Sequence, residues 1–204
     1  CIDDIVLGIS EGVENKIFKD YACERGIEYI VGDETDVLMR LIQCGNHSAA
    51  SDIFRVTSES PFVHFEMIDI AWSSYCNSAF DALFLDDVVD GCGFEIISMA
   101  ALEKSHSKGD SKHRSEMCTL YMREHPSEFE ILKLSPPKNL IRKDLRLTVD
   151  NPEDLVICRK IYAHFKDLAP NIPVKLITEF LDENPKLVEL TLPFTEKGYS
   201  TMYL

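Results

Sequence analysis

Two short acidic motifs constrain the fold more than any other feature of the chain: Arg55-Val-Thr-Ser-Glu-Ser-Pro-Phe62 and Leu147-Thr-Val-Asp-Asn-Pro-Glu-Asp-Leu155. Each reads as a strand that stops at a carboxylate and then turns into a helix. In an open α/β sheet, strand ends of this kind converge on one edge, where ligands bind. Glu59 and Asp150 are therefore expected over one site, although they are far apart in sequence. Two converging carboxylates suit a hard cation such as magnesium holding phosphates, which points towards nucleotide chemistry.

The rest of the chain alternates in the same way. Residues 2–9 read as a strand with Gly8 and Ser10 at its end, residues 12–25 as a helix, and residues 27–31 as the next strand. Asp33 is placed to accept from the amide of Asp36 at a helix start, and Val37, Leu38, Leu41 and Ile42 form that helix's apolar stripe. Further strands are expected at 50–56, 79–85, 94–98 and 131–134. Helical stretches are expected at 66–72, 99–105, 115–123 and 178–184. Residues 105–112 read as a flexible loop and 125–129 as a turn. The clearest helix spans 151–165, with Asn151 as N-cap, Pro152 at the first helical position, and Glu153 and Asp154 at the positive helix end. The tail from Leu190 reads as extended. The pattern implies an α/β fold with a mostly parallel sheet.

A chain of 204 residues is expected to form one domain spanning 1–204. No apolar run reaches the roughly 20 residues that span a bilayer, and no secretory leader pattern stands at the N-terminus. Seven cysteines occur without CxxC spacing, which reads as reduced, mostly buried thiols in a cytoplasmic protein. A net charge of −14 repels nucleic acid and anionic membrane, so neither is expected as a partner.

Asp150 belongs to the strand end, because Asn151 already caps the helix. Its carboxylate either faces the cleft or marks an ordinary acidic turn. Thr57-Ser-Glu-Ser60 offers amides and hydroxyls to an anion or a pyrimidine edge, or is a solvated polar turn. Arg55 is either a bidentate ligand clamp or a half-exposed strand residue. In Asp90-Gly-Cys-Gly-Phe-Glu95, Asp90 and Glu95 are placed to hold sugar hydroxyls, or the segment is a plain hairpin. His113, Arg114 and Glu116 form a further polar group. Local signatures of a nucleophilic triad are absent from the sequence.

These segments, in order, resemble the cytidylyltransferase (CMP-sugar synthetase) superfamily, in the branch named after spore coat polysaccharide biosynthesis protein F. Gly32-Asp-Glu-Thr-Asp-Val-Leu-Met-Arg40 is similar to G-(S/D)-x-x-D-V-L-x-R. The Arg55 motif is similar to R-(I/V)-T-x-D-x-P, the Asp90 motif to D-G-x-D-x-E, Ser115-Glu-Met-Cys-Thr119 to R-E-H-V-T, and the Asp150 motif to T-V-D-T-P-E-D-L. The resemblance implies a three-layer, glycosyltransferase-A-like sandwich. It also implies transfer of CMP from CTP to a sugar or sugar acid for surface or spore-coat polysaccharide, with Mg2+ and as a homodimer. It places Asp150 as the catalytic residue and assigns the metal to Glu59 and Asp150. Substrate binding is assigned to Ser10, Arg55, Thr57, Ser58, Asp90, Glu95 and Glu116.

The sequence also departs from the family. Glu59 stands where the family has aspartate, Gly93 replaces the second aspartate of D-G-x-D-x-E, and Ser115 and Met117 replace the arginine and histidine of R-E-H-V-T. The family's opening strand and basic loop, R-x-G-S-x-R-x-P-x-K, is not found, and the chain opens on Cys1. An N-terminally incomplete enzyme and a diverged, non-catalytic binding or assembly subunit are the two expectations.

Overall fold

Val6–Ser10 (β1) and Glu28–Gly32 (β2) pair in parallel, from Val6 opposite Glu28 to Ser10 opposite Gly32. Parallel neighbours need a crossover, and Lys16–Arg25 (α1) supplies it. Gly26 ends that helix at φ 63°, a left-handed conformation in which its N–H reaches the carbonyls of Ala22 and Cys23. Asp33 accepts from the amide of Asp36 as expected, at 2.9 Å. The helix that follows, Val37–His47 (α2), is capped by Asp36, whose carboxylate accepts from Met39 N at 2.9 Å. It buries Leu38 and Ile42 and packs on β1 and β2.

The computed structural model describes residues 2–202, with side chains described through 195. The chain divides into two compact units. One comprises Cys1–Phe54, Ser78–Ala82 and Ile96–Ile131, and the other Arg55–Asn77, Leu83–Glu95 and Leu132–Leu204. Asp52–Arg55 (β3), Ala82–Leu85 (β4), Phe94–Ser98 (β5) and Ile131–Lys133 (β6) form a four-stranded sheet in the order β3-β5-β4-β6. β4 is buried along its whole length, and β5 is buried from Phe94 to Ile97. That is why both read as near-continuous apolar runs rather than alternating ones.

In the first unit, Met99–Lys108 (α4) starts at Ser98, whose hydroxyl accepts from Ala101 N at 3.2 Å. Here the sequence reading needs correction. The stretch expected as a flexible loop is helical to Lys108, then forms a 3-10 turn over Ser111–Arg114. Buried His113 anchors it, with Nδ1 2.9 Å from the Asp110 amide and Nε2 2.8 Å from Glu124. The helix expected at 115–123 shrinks to Leu120–Glu124 (α5).

In the second unit, Ile68–Cys76 (α3), Pro152–His164 (α6) and Val174–Glu183 (α7) correspond to helices read from the sequence. Two expectations fail here. Residues 147–149 form no strand ladder, only a single parallel bridge between Arg146 and Asp90. The tail is not extended: Pro185–Met202 (α8) is a helix that packs on α6 and α7, with Pro193 inside it. Thr191 and Thr195 are both buried there, and the Thr195 hydroxyl bonds the Thr191 carbonyl at 3.0 Å. Burial of the apolar face overrides their weak helix propensity. The core of this unit includes Leu83, Phe84, Leu85, Leu145, Leu147, Ile157 and Ile161. Among the described residues, no helix is long and apolar enough to cross a membrane.

Candidate functional site

The two acidic motifs lie side by side in the second unit. The amide of Val149 donates to the carbonyl of Glu59 at 2.9 Å, and the amide of Leu147 donates to the carbonyl of Asp90 at 2.8 Å. Alternate amides of one extended run point the same way. The run 146–149 therefore ties the Glu59 turn and the Asp90 loop to one strand-like segment that ends at Asp150. Gly91 makes the approach possible. Its φ is 83°, and a Cβ there would lie 2.4 Å from Thr148 N.

One guanidinium organises the site. Arg146 is 6% exposed and meets three carboxylates. Its Nη1 donates to Asp90 Oδ2 at 3.0 Å, its Nε to Asp154 at 3.2 and 3.3 Å, and its Nη2 to Asp150 Oδ2 in a very short contact. Asp154, fully buried, also accepts from the amides of Asp150 (3.0 Å) and Asn151 (2.9 Å) and from Asn151 Nδ2 (3.0 Å). Burial pushes the Asp154 carboxyl up. The bonds from Asn151, the two amides and Arg146 outweigh it and hold the group below the ordinary carboxylate range. Asp90 differs. Burial pushes its carboxyl above the ordinary range despite Arg146, and Oδ1 is buried without a hydrogen-bond partner. Three carboxylates thus share one cation, and the outermost of them, Asp150, is 53% exposed. Both of its side-chain contacts, from Arg146 and from Thr148 Oγ1 at 3.4 Å, fall on Oδ2.

Glu59 is half-buried in a turn closed by Ser60 N to the Thr57 carbonyl (3.1 Å), with the Thr57 and Ser60 hydroxyls 3.0 Å apart. Ser58 is exposed at its tip. Arg55 and Glu95, expected to grip ligand separately, pair with each other at 2.8 Å, and both are largely buried. Asp90 faces Arg146 inside the fold. Ser10 and Glu116 belong to the first unit. There Ser10 Oγ accepts from Asn15 Nδ2 at 2.9 Å, and Glu116 is exposed in the turn before Cys118. Of the expected residues, Arg55, Thr57, Ser58, Glu59, Asp90, Glu95 and Asp150 belong to the second unit.

A hard-oxygen donor set with excess negative charge fits magnesium, which needs only one or two protein carboxylates beside phosphate oxygens and water. Among the described residues, no group of three or more His, Cys, Asp or Glu side chains is placed to hold a metal by itself. Burial pushes the Cys158 thiol up to about 12, with the Asp154 charge adding to it, and Cys92 well above its ordinary range. Neither is a thiolate nucleophile at neutral pH.

The chain superposes on a cytidylyltransferase from Leptospira borgpetersenii with a TM-score of 0.81, over 90% of this chain and 77% of that one, at 19% identity. Its fold is the cytidylyltransferase fold. A nucleotidyl transferase from Methanothermobacter thermautotroptrophicus shares the architecture more distantly, with a TM-score of 0.54 at 10% identity over 80% of this chain and 74% of that one. In sequence, the chain is 24% identical to spore coat polysaccharide biosynthesis protein SpsF of Bacillus subtilis, over 90% of this chain and 76% of that protein. It is 28% identical to an uncharacterized protein of Methanocaldococcus jannaschii, over 97% of this chain and 81% of that one. No family model matches the sequence. The resemblance to the spore-coat branch thus holds in sequence, and the α/β reading holds in structure.

Within this cytidylyltransferase fold, the two residues that sequence reasoning passed over are Arg146 and Asp154. The available signal for Arg146 was a cation set between Leu145 and Leu147, four residues before Asp150. Asp154 was read as a helix-dipole residue, yet its carboxylate is what caps α6 by reaching back to the Asn151 amide. The substitution at Gly93 has a structural counterpart: a Cβ there would sit 2.4 Å from the Leu85 carbonyl. The loop has closed over the space that a side chain at this position would need.

Proposed function

We propose that the protein is a nucleotidyltransferase that transfers CMP from CTP to a sugar or sugar acid for surface-polysaccharide synthesis. The observation that carries this reading is the Val149–Glu59 bond. Within a cytidylyltransferase fold, it sets the two acidic motifs against each other beside an exposed carboxylate with excess negative charge. In this reading a sugar hydroxyl attacks the α-phosphorus of CTP, forming the new O–P bond as the bond to pyrophosphate breaks, and its proton passes to solvent water. Asp150 and Glu59 hold a magnesium ion, which when bound neutralises charge on the phosphate oxygens. Thr57 and Ser58 orient the substrate from the turn beside Glu59. The Arg55–Glu95 pair stiffens the strand ends beneath that turn, and Asp90 acts from behind through Arg146. Ser10 and Glu116 are carried as substrate contacts on the family resemblance alone. Free thiols at all six described cysteines support a reducing, cytoplasmic setting. An exposed apolar stripe of Val13, Ile17, Phe18 and Tyr21 on and just before α1 supports a homodimer.

The test is calorimetric titration of CTP with magnesium into the protein, together with a pyrophosphate-release assay over a panel of sugars and sugar acids. Binding is expected in the wild type and at least tenfold weaker binding in Asp150→Asn, which keeps an oxygen for Arg146 and should cost under about 1 kcal/mol of stability. A wild type that gives no heat and releases no pyrophosphate would sink the reading. The second reading, a non-catalytic binding or assembly subunit, rests on the closed loop at Gly93 and on Glu59, Ser115 and Met117. It expects that negative result.

A further inference from the structure

We propose that Arg146 is the positioning residue of this site: it fixes the Asp150 carboxylate that the nucleotidyltransferase reading assigns to magnesium. The proposal rests on that reading and extends it to a side chain that touches neither metal nor substrate.

The geometry supports a fixed fork rather than a generic ion pair. Guanidinium donors lie in one plane at set angles, so contacts on Nε, Nη1 and Nη2 leave little rotational freedom. Here each of the three nitrogens has its own carboxylate: Asp154, Asp90 and Asp150. Two of those carboxylates are fully buried and fixed from behind. Asp154 is pinned by two backbone amides and the Asn151 side chain. Asp90 lies beside Gly91, whose backbone presses against Thr148, and its carbonyl accepts from Leu147 N. Asp150 is the one member of the set that is exposed, and it is held from two directions. Its Oδ2 is taken by Arg146 and its backbone amide by Asp154. No described residue bonds Oδ1, which leaves that oxygen for a ligand. Magnesium demands near-ideal geometry, so a carboxylate held on one oxygen offers the other at a defined place. The arrangement also balances charge. Without the guanidinium the three carboxylates would repel one another at close range. One guanidinium offsets only part of their charge, and a magnesium ion on the open side of Asp150 would offset the rest.

Arg146→Lys separates positioning from plain stability, because lysine keeps the charge but not the fork. The measurements are thermal unfolding, magnesium affinity in the presence of CTP by calorimetry, and the magnesium dependence of pyrophosphate release. The folded variant is expected to bind magnesium at least tenfold more weakly, while saturating magnesium restores kcat to within about threefold. Asp150→Asn, which loses the ligand itself, is not rescued. A purely structural role would lower the unfolding temperature and leave the magnesium affinity of the folded protein unchanged, and that result overturns the proposal. Should Arg146→Lys fail to fold, arginine side-chain NMR of the wild type decides. The Arg146 Nε–H resonance is expected to shift with the calorimetric midpoint for magnesium, and an unmoved resonance at saturation overturns the proposal. A wild type that binds no magnesium with CTP overturns the nucleotidyltransferase reading itself. Equal magnesium affinity in wild type and Arg146→Lys overturns only the role of Arg146.

Discussion

Asp154→Ala and Asp90→Asn probe the same guanidinium from two sides and should differ sharply. Asp154, itself fully buried, accepts from Arg146, from the amides of Asp150 and Asn151, and from Asn151 Nδ2. Breaking a buried ion pair from one side costs about 3–5 kcal/mol. Asp90 and Asp150 still hold Arg146, so the lower end of about 3 kcal/mol applies. Losing the acceptor at the start of α6 adds about 1 kcal/mol. The expected total is about 4 kcal/mol, a large part of the ~5–15 kcal/mol that a domain has. Asp90→Asn keeps an oxygen for Arg146 Nη1 and removes a charge that burial disfavours. Its expected cost is under about 1 kcal/mol.

The pH dependences are opposite in sign. Asp154 titrates below its unfolded value in the native state, so it binds its proton more weakly there. Its contribution is present above the ordinary carboxylate range and fades as pH falls through the native pKa. Asp90 titrates above its unfolded value, so its contribution is full below the ordinary range and declines as pH rises through the native pKa. Urea unfolding between about pH 3 and neutral pH measures both. With a denaturant slope of about 2 kcal/mol per M, Asp154→Ala should lower the midpoint by about 2 M. Equal costs for the two variants, or an Asp154→Ala midpoint within about 0.5 M of wild type, would refute the account of how charge is shared around Arg146.

Gly91→Ala forces a side chain into a left-handed backbone 2.4 Å from Thr148 N, and should cost about 2 kcal/mol or more in urea unfolding; an unchanged midpoint would show that the 91 loop is not held against the Asp150 motif. Gly93→Asp, which restores the family's aspartate, should destabilise by about 1–3 kcal/mol and leave magnesium·CTP affinity no better, because the Leu85 carbonyl occupies the space of its Cβ. A tighter-binding Gly93→Asp protein would show that the loop opens freely.

Several features were legible before any coordinates. Residues 82–85 are apolar on every position and 94–97 on all but Glu95, near-continuous runs that suit strands buried on both faces. Pro152 at the first helical position and the acidic pair behind it marked the start of α6. Asp33, placed to accept from the Asp36 amide, marked the start of α2. The ordered carboxylate motifs pointed to a cytidylyltransferase-type chain. These are local signals, carried by side-chain period, caps and fixed φ, and they survive without knowledge of distant partners.

The sequence could not say whom each charge meets. Asp90, a candidate sugar ligand by position, is a buried counter-ion of Arg146, and Arg55 and Glu95 neutralise each other. The His113 anchor turns a loop-like composition into ordered structure, and the contacts of α8 with α6 and α7 turn a Thr-rich tail into helix. Each of these outcomes depends on a partner many residues away. Burial and long-range pairing are worth more than local propensity, and only the closed chain decides which partners come within reach.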